Sequence, residues 1–400
     1  MDKKNKNPNV PNLRFSNPYK LRKVRLGDIC TITGGYAFDS HKMKQQGEYQ
    51  IIKMGNLYNG IFDLSRNQSF INAPTKKELE YLVQKNDILI TLTGTTNKKD
   101  YGYTVQIEKP KKLLLNQRCA LIRASKVNEK YLFYLLNSND FLKQFYASST
   151  GGTGNQTNVS INDMLDFKVY ISNENDQLKI SNILNALDKK ISTQIKIIDD
   201  LILQKKYIIY SLLEAIQDNE KIMLKDLLFD YNVKTTINNE YPVLSSTASG
   251  MYLQTEYFNK EAASDNTTGY KIIPRGYCTY RSMSDTGLFT FNIQNLVEKG
   301  IVSPAYPVFS ANNYSNEFII LYLNNASYIK KQILELKSGG TRFALPFSTL
   351  GTLKIPKLEK EKQLSFIKTI TAFERKIKNE EKILNDLHKQ KNYLLNNMFI

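Results

Sequence analysis

The chain alternates between short apolar segments and two long stretches with helical periodicity. Over residues 21–155, runs rich in β-branched residues, such as DILITL at 87–92, are separated by turn residues. A helix-like stretch lies at 130–146, whereas SSTGGTGNQTN at 148–158 is too rich in Gly, Ser and Thr for a helix or a strand. This mixture predicts an α+β domain over residues 21–171.

The segment 172–216 has a different pattern. From residue 174 onward it contains neither Gly nor Pro, and its apolar residues are spaced three and four positions apart. This spacing predicts a long amphipathic helix with a heptad seam, which extends ~60 Å at ~1.5 Å per residue. The predicted seam positions are Leu184, Leu187, Ile191, Ile198, Leu201, Ile208 and Leu212.

The second half of the chain repeats the first. KIMLKDLL at 221–228 is similar to KVRLGDIC at 23–30, and a second stretch without Gly or Pro covers 357–399. Aligning 177–213 with 363–399 without gaps gives twelve identities in thirty-seven positions. An internal duplication explains this similarity. The predicted seam of the second helix consists of Ile370, Phe373, Ile377, Leu384, Leu387, Leu394 and Met398.

Polar residues interrupt both seams at equivalent positions. Gln194 and Lys205 of the first helix correspond to Glu380 and Lys391 of the second. Polar residues in a seam reduce stability and can fix the register of a coiled coil. Alternatively, these side chains lie along the edge of the seam and reach water at their tips. The sequence leaves both possibilities open.

The predicted fold class is therefore α+β, with two duplicated α+β domains and two long helices. If the helices pair with each other, the duplication favours an antiparallel coiled coil. The expected organisation is a flexible basic arm at 1–20, a first domain at 21–171, a first helix at 172–216, a second domain at 217–356 and a second helix at 357–400.

Composition and charge narrow the possible partners. The 55 Lys and Arg residues exceed the 38 Asp and Glu residues, which gives a net charge of +17 and favours a polyanionic partner such as nucleic acid. The three cysteines are far apart, so neither a zinc site nor a disulfide framework is expected. No apolar run approaches the ~20 residues of a membrane span, and we expect a cytoplasmic protein.

The sequence offers few catalytic motifs. Its only histidines are His41, in a polar turn, and His388, on a helix face, and neither a P-loop nor a GxGxxG motif occurs. We therefore expect a binding protein without catalytic activity, metal or cofactor of its own. Two alternatives stay open: a stand-alone methyltransferase or nuclease, and a coiled-coil scaffold that coats DNA without sequence preference.

Polar and basic loops of the two domains are the candidate DNA-binding sites. Residues 91–103 combine hydroxyl, amide and ammonium groups, which suit phosphates and base edges, and 278–287 is the counterpart in the second domain. An ordinary hydrophilic hairpin loop is the alternative. The predicted DNA-binding residues are Lys53, Asn56, Thr93, Thr95, Thr96, Asn97, Lys98, Lys99, Arg118, Ser245, Ser246, Tyr280, Arg281, Ser282 and Arg342.

Several segments resemble the specificity subunit of type I restriction–modification enzymes. They are VPNLRF at 10–15, KVRLGDI at 23–29, LNQRCALIR at 115–123, GIVSPAYPVF at 300–309, and the helix pair QLKISNILNALDKKI at 177–191 and QLSFIKTITAFERKI at 363–377. The resemblance covers nearly the whole chain beyond the arm. It implies that the two α+β domains are target-recognition domains separated by helices that form an antiparallel coiled coil.

The resemblance also implies a function and partners. Each target-recognition domain would read one half of a bipartite, asymmetric site in double-stranded DNA, and the helices would set the gap between the halves. Two DNA adenine methyltransferase subunits and motor-nuclease subunits would bind the chain. S-adenosylmethionine, ATP and Mg²⁺ would be bound by those subunits and not by this chain.

Overall fold

The computed structural model describes residues 13–15, 21–151, 155–257, 266–336 and 343–400. The chain divides into two compact units. Unit 1 is formed by residues 1–195 together with 382–400, and unit 2 is formed by residues 196–381. Both units contain helices and strands. In the described part of the chain, no helix is both long and apolar enough to cross a membrane.

In its described residues, unit 1 combines short strands with four short α-helices, the beginning of one long helix and the end of another. Its elements are β1 (Arg22–Arg25), β2 (Cys30–Gly34), β3 (Tyr49–Ile52), β4 (Phe70–Ile71), α1 (Lys76–Leu79), β5 (Ile88–Thr91), β6 (Thr93–Thr95), β7 (Thr104–Gln106), β8 (Leu113–Leu115), β9 (Cys119–Ala124), α2 (Glu129–Leu135), α3 (Asn139–Ala147), β10 (Thr150–Gly151), β11 (Gln156–Asn158), α4 (Ile161–Asp166), β12 (Lys168–Ile171) and α5 (Glu174–Glu214).

The main sheet of unit 1 is antiparallel, with strand order β2-β9-β5-β7. Its strand β5 is buried along its whole length. Ile88 and Ile90 belong to the core that the helices cover. Leu89 packs on the opposite side, in a second core with Ile52 and Leu115. The run at 87–92 is therefore uniformly apolar because both faces of the strand are covered.

Two expectations for unit 1 need correction. The helix-like stretch at 130–146 forms two helices, α2 and α3, because the Ser138 hydroxyl accepts a hydrogen bond from Phe141 N and starts a new helix. The Gly- and Thr-rich stretch at 148–158 contains the strands β10 and β11; β10 pairs with β11, and β11 pairs with β6. Pairing to a neighbouring strand thus outweighs the low strand propensity of that stretch.

Unit 2 contains the second set of elements and the second long helix. They are β13 (Lys221–Met223), β14 (Leu228–Asp230), β15 (Leu244–Thr247), β16 (Gly250–Leu253), α6 (Gln254–Tyr257), β17 (Lys271–Pro274), β18 (Cys278–Tyr280), β19 (Met283–Ser284), β20 (Phe291–Ile293), β21 (Lys299–Val302), β22 (Val308–Ala311), α7 (Asn316–Asn325), α8 (Ser327–Glu335), β23 (Phe343–Ala344), α9 (Phe347–Thr352), β24 (Lys354–Pro356) and α10 (Lys360–Met398).

The topology of unit 1 recurs in unit 2. The antiparallel sheet β14-β22-β18-β20 has the strand order of β2-β9-β5-β7, and β13 pairs with β24 as β1 pairs with β12. The parallel pairing of β3 with β8 has its counterpart in the parallel bridge between Val243 and Ile301. The expected α+β fold with two duplicated domains and two long helices is confirmed.

Each unit has a buried glutamine at the start of a long helix, and the two glutamines make equivalent hydrogen bonds. The Oε1 atom of Gln177 accepts a hydrogen bond from Asn128 N at 2.9 Å, and its Nε2 donates to the carbonyl oxygen five residues earlier at 2.8 Å. Gln363 bonds in the same way to Ser315 N, at 2.9 Å, and to the carbonyl five residues before it, at 2.8 Å. Asn128 and Ser315 precede the first residues of α2 and α7. Each glutamine thereby links the start of a long helix to the start of a short one.

The predicted seam residues of α5 and α10 lie on the inward-facing side of each helix. Those that are buried are Leu184, Leu187, Ile191, Ile198, Leu201, Ile370, Ile377 and Met398. Those that are partly buried are Ile208, Leu212, Phe373, Leu384, Leu387 and Leu394. Near the end of α5, Ile209 and Leu213 are more deeply buried than the predicted Ile208 and Leu212. The seam shifts by one residue because a straight helix drifts from a seven-residue repeat and because both residues join the core of unit 2.

The seam lysines form ion pairs between the long helices. In unit 1, Lys391 Nζ lies 2.6 Å from Asp188 Oδ1, and in unit 2, Lys205 Nζ lies 3.3 Å from Glu374 Oε1. Both lysine side chains are 26% exposed. Asp188 and Glu374 are equivalent in the repeat, as are the two lysines. Both possibilities raised by the sequence therefore apply to these lysines. Each lysine lies partly exposed at the edge of the seam, and each has a specific partner on the other helix that can fix the register.

The helices are antiparallel within unit 1. Besides the Lys391–Asp188 pair, the ring of Phe399 lies 5.3 Å from that of Tyr131, whose hydroxyl accepts a hydrogen bond from Ser172 N, just before α5. The end of α10 is therefore close to the beginning of α5. In unit 2, α7 contacts both Gln217, just beyond α5, and Phe366, near the start of α10.

Part of the predicted flexible arm is docked. Leu13 N donates a hydrogen bond to Asn397 O at 2.8 Å, and its side chain packs against the core of unit 1. Lys179 Nζ lies 5.9 Å from the ring centre of Phe15. The apolar side chain of Leu13 thus has a place in a core, which the basic composition of the segment did not indicate. The other residues of 1–20 lie outside the described residues.

Candidate DNA interface

The loop from 95 to 103 in unit 1 is organised by one carboxylate. Asp100 accepts hydrogen bonds from Thr95 N and from the Thr95 hydroxyl, both at 2.7 Å, and these bonds hold the pKa of Asp100 below its usual value. Lys98 N donates to Thr95 O at 3.0 Å. Asn97 is exposed and has a φ of 62°, which an asparagine tolerates in a tight turn. The loop therefore presents a fixed turn to solvent.

Gly94 is required by packing inside the loop. A Cβ at this position would lie 2.3 Å from Tyr101 Cδ1 and 2.6 Å from Asp100 Oδ1. A glycine in a loop of this kind can also allow a nucleic-acid backbone to approach closely. The structure supplies a different reason, which is that the loop folds back over its own strand.

The predicted residues of this loop differ in what they can offer DNA. The Thr93 hydroxyl bonds Asn158 Oδ1 at 3.1 Å, and the Thr96 hydroxyl is buried without a hydrogen-bond partner among the described residues. Lys98 and Lys99 are exposed, and Lys99 Nζ lies 5.3 Å from the ring centre of Tyr146. Donors for DNA are therefore concentrated at 97–99, and the threonines mainly support the turn.

The predicted residues near 53–56 belong to a second loop. Asn56 is 1% exposed, and its side chain accepts from Lys53 N and donates to two carbonyl oxygens of the same loop. Its assignment as a DNA-binding residue is therefore wrong, because a buried amide with three internal hydrogen bonds cannot reach DNA. Lys53 Nζ donates to Ser69 Oγ at 2.6 Å and is only partly exposed.

An aromatic contact joins the two loops into one surface. The rings of Tyr58 and Tyr103 lie 5.6 Å apart with an angle of 69°, and the guanidinium carbon of Arg66 lies 6.0 Å from the ring centre of Tyr58. Tyr58 is 53% exposed. Exposed aromatic and arginine side chains together are typical of nucleic-acid interfaces. We did not predict these residues, although Tyr58 and Arg66 lie in a loop that also carries Lys53.

Arg118 lies in the turn between β8 and β9, and its side chain is exposed. Its carbonyl oxygen accepts a hydrogen bond from Leu92 N at 3.0 Å, next to β6. This places the turn beside the strand that leads into the 95–103 loop.

Two predicted residues of unit 2 are buried. Tyr280 is fully buried, its hydroxyl donates to Leu345 O at 2.8 Å, and burial raises its pKa. Ser246 is 8% exposed and accepts a hydrogen bond from Asn292 Nδ2 at 2.8 Å. Both assignments as DNA-binding residues are wrong, because strand β18 and the hairpin β15–β16 turn these side chains toward the core.

The remaining described candidates of unit 2 lie in a strand or directly after one. Arg281 is exposed immediately after β18, and the Ser282 hydroxyl donates to Ala305 O at 2.9 Å. Ser245 is partly buried in β15. Arg342 lies outside the described residues. Arg281 is thus the described residue of this set with the most accessible charge.

The cysteines and histidines of the described residues differ in exposure, since all three cysteines are buried and the histidines lie at the surface. Burial raises the pKa of the Cys30 and Cys119 thiols to about 12, so these thiols are protonated at neutral pH. Within the described ranges, no group of three His, Cys, Asp or Glu side chains is placed to hold a metal ion. The histidines His41 and His388 are exposed.

The chain is similar to known proteins both in sequence and in fold. Residues 18–201 match the model of the type I restriction modification DNA specificity domain. The type I restriction–modification S subunit from M. genitalium has 16% sequence identity and a TM-score of 0.54, over 98% of this chain and 99% of that chain. A structure on complex assembly and conformational transition of a type I system has 14% identity and a TM-score of 0.56, over 94% and 96%.

No curated protein sequence matches this chain significantly. The family match covers the α+β part of unit 1 and most of α5, and the structural similarity extends over both units. Residues 18–201 are thus similar to the type I restriction–modification DNA specificity domain, and over its length the chain shares its fold with solved structures from type I restriction–modification systems.

Proposed function

We propose that this chain is the non-catalytic specificity subunit of a type I complex and reads a bipartite, asymmetric DNA site. Each α+β unit would contact one half-site, and the long helices would set the gap. One observation carries this proposal: the two units share the same order of strands in their main sheets, but the loops beside these sheets expose different side chains. Unit 1 exposes Asn97, Lys98 and Lys99 after β6, whereas unit 2 exposes Arg281 after β18. Equivalent scaffolds with different side chains favour two unlike half-sites.

Methylation mapping tests this function directly. Single-molecule sequencing of the host genome, with and without the gene, should reveal one split, non-palindromic motif whose adenine methylation depends on the gene. If no motif is lost, the proposal is wrong. A chain that binds all duplexes equally, with a steep decrease of affinity in salt, would instead favour the DNA-coating scaffold.

The role of the helices can be tested by shortening both of them. Deleting residues 192–195 and 378–381 removes one turn at equivalent places and retains the ion pairs of Asp188 and Lys205. The deletion shortens each helix by ~6 Å, so we expect the gap to change by at most about two base pairs while the half-sites stay the same. A change in the half-sites would contradict the role of the helices as a spacer.

We also propose that two DNA adenine methyltransferase subunits dock on the outward faces of the long helices. Apolar side chains that are exposed do not pack within this chain, so packing does not explain why they would stay the same in both copies of the repeat. Three exposed apolar residues are nevertheless identical at equivalent positions of the two long helices. These pairs are Leu178 and Leu364, Ile197 and Ile383, and Tyr207 and Tyr393. Only twelve of thirty-seven aligned positions are identical, so retention at exposed positions favours one kind of partner bound twice. Motor-nuclease subunits would join this assembly, and S-adenosylmethionine, ATP and Mg²⁺ would be bound by the partners.

Copurification with the methyltransferase subunit tests the docking faces. Tyr207→Ser combined with Tyr393→Ser should abolish the complex, and either single change should shift native mass spectra from two bound subunits to one. The matched control is Lys189→Ser with Arg375→Ser, which alters exposed, equivalent positions of the same helices. Equal loss of binding in the control would contradict the assignment of these faces.

A further inference from the structure

The loop that contains Asn56 holds one arginine in a fixed position. The buried Asn56 side chain donates hydrogen bonds to Asp63 O at 2.9 Å and to Arg66 O at 2.6 Å, and it accepts one from Lys53 N at 2.8 Å. These three bonds tie both ends of the segment 56–66 to one internal amide. The backbone that carries Arg66 is therefore anchored although its side chain is exposed.

The Arg66 side chain is itself held on two sides. Its Nε lies 3.1 Å from Asp63 Oδ2, and its guanidinium carbon lies 6.0 Å from the ring centre of Tyr58, within the range of a cation–π contact. Asp63 is fixed in turn, because its Oδ1 accepts hydrogen bonds from Ser65 N at 2.9 Å and from Ser65 Oγ at 2.6 Å. These bonds and the charge of Arg66 hold the pKa of Asp63 below its usual value, so its carboxylate is charged at neutral pH.

The two terminal nitrogens of Arg66 are available. Across the part of the chain that the structure describes, they make no hydrogen bond or ion pair, and the side chain is 50% exposed. Arg123 is the contrasting case, because its Nε and Nη2 both contact the buried Asp87. The planar guanidinium fork of an arginine matches the O6 and N7 acceptors of guanine in the major groove. Because the side chain is already ordered, less conformational entropy is lost on binding.

The position of Arg66 connects it to the predicted DNA loop. Tyr58, which makes the cation–π contact with Arg66, also contacts Tyr103 at the end of the 95–103 loop. Arg118 and Arg281 are also exposed, but they have no carboxylate or aromatic support among the described residues. Arg66 is thus the pre-oriented arginine of this surface, and the negative charge of Asp63 beside it disfavours a simple role in phosphate binding.

From these contacts we infer that Arg66 determines sequence specificity by a bidentate contact with a guanine in the half-site of unit 1, and that Asp63, Tyr58 and Asn56 are positioning residues. The inference rests on the proposed function, because it names the residue through which unit 1 distinguishes a base. It predicts that the recognised half-site contains at least one guanine at a fixed position.

Selection from a randomised duplex library tests this assignment with the purified full-length chain. Wild type should enrich one half-site with an invariant guanine, and Arg66→Ala should lose the preference at that position by about 10-fold or more. Arg66→Lys retains the charge but lacks the planar fork, so it should lose the same preference. Lys85→Ala, which removes an exposed charge in the same unit, should leave the selected sequence unchanged.

A modified base and a change at Asp63 make the test specific. Replacing the invariant guanine with 7-deazaguanine removes N7, so it should weaken binding by wild type but not by Arg66→Ala. Asp63→Asn removes a negative charge and should increase affinity for unrelated DNA while it lowers the guanine preference. A purely electrostatic or structural role of Asp63 would not change these two quantities in opposite directions.

The outcomes separate this inference from the proposed function. If wild type enriches no sequence, the proposed function fails. If wild type and Arg66→Ala select the same half-site, or if Arg66→Ala weakens all sequences equally, the assignment of Arg66 is wrong and the proposed function stands.

Discussion

The repeated buried glutamine provides the most stringent test of how the long helices are attached to the recognition units. Gln177→Leu removes both side-chain hydrogen bonds while keeping a similar volume. Asn128 N and the carbonyl of Ser172 then lose their partners. Ser172 is 3% exposed, so water cannot easily replace the bond to its carbonyl.

The expected loss of stability follows from these two groups. A buried backbone group that lacks a hydrogen-bond partner lowers the free energy of unfolding by ~1–3 kcal/mol. The substitution leaves two such groups, and burial of the leucine methyl groups offsets part of their combined cost. We therefore expect the opening free energy of unit 1 to decrease by about 2–4 kcal/mol. A decrease of about 2 kcal/mol corresponds to roughly 30-fold faster amide exchange.

Hydrogen exchange with mass spectrometry of the full chain is the appropriate assay, because a chain with two units need not unfold in one step. Gln177→Leu should accelerate exchange in α2 and the start of α5, and Gln363→Leu should do so in α7 and the start of α10. Gln204→Leu, at an exposed position of α5, is the matched control. The reasoning is refuted if Gln177→Leu exchanges no faster than the control.

Three further predictions concern single residues, two in the 94–103 region of unit 1 and one in the core of unit 2. Gly94→Ala should displace the 95–103 loop and lower both the thermal midpoint and DNA affinity, since a Cβ would lie 2.3 Å from a ring carbon; unchanged affinity would contradict this. Tyr280→Phe should cost about 1 kcal/mol in urea unfolding by freeing the carbonyl of Leu345, and it should leave the selected DNA sequence unaltered. The pKa of Asp100 is lower in the folded loop than the ordinary value of 3.8 for an aspartate. Its hydrogen bonds to Thr95 therefore stabilise the loop fully at pH values above 3.8, and this stabilisation is lost as the pH falls through the lowered pKa. Amide exchange at Thr95, corrected for intrinsic rates, should therefore be constant above about pH 4 and increase below it; a constant rate to pH 2 would contradict this.

The long helices could be predicted from the sequence because their periodicity is local. Leu184, Leu187 and Ile191 follow a heptad that depends only on neighbouring residues. The shift from Ile208 to Ile209 could not be predicted, because it depends on the core of unit 2. The identity of Gln177 and Gln363 was visible as a repeat, but their hydrogen-bond partners lie 49 and 48 residues away in the chain.

The candidate interface was predicted less well for a physical reason. Asn56, Ser246 and Tyr280 have side chains that suit DNA, but the sequence does not reveal that they face the interior and bond to backbone groups. Conversely, Tyr58 and Tyr103 are 45 positions apart, and only the fold brings their rings into contact. The interleaving of tyrosine, lysine and arginine over 53–66 was the available signal.

The interhelical ion pairs have a consequence for the ancestry of the chain. Each long helix carries one acidic and one basic partner, Asp188 with Lys205 in α5 and Glu374 with Lys391 in α10, separated by the same number of residues. A helix with this order of charges is self-complementary: its acid meets the base of an identical helix that runs in the opposite direction. Two identical half-length chains with this order of charges would therefore be able to pair as a homodimer, and in the present chain each charge depends on a partner encoded in the other half of the gene.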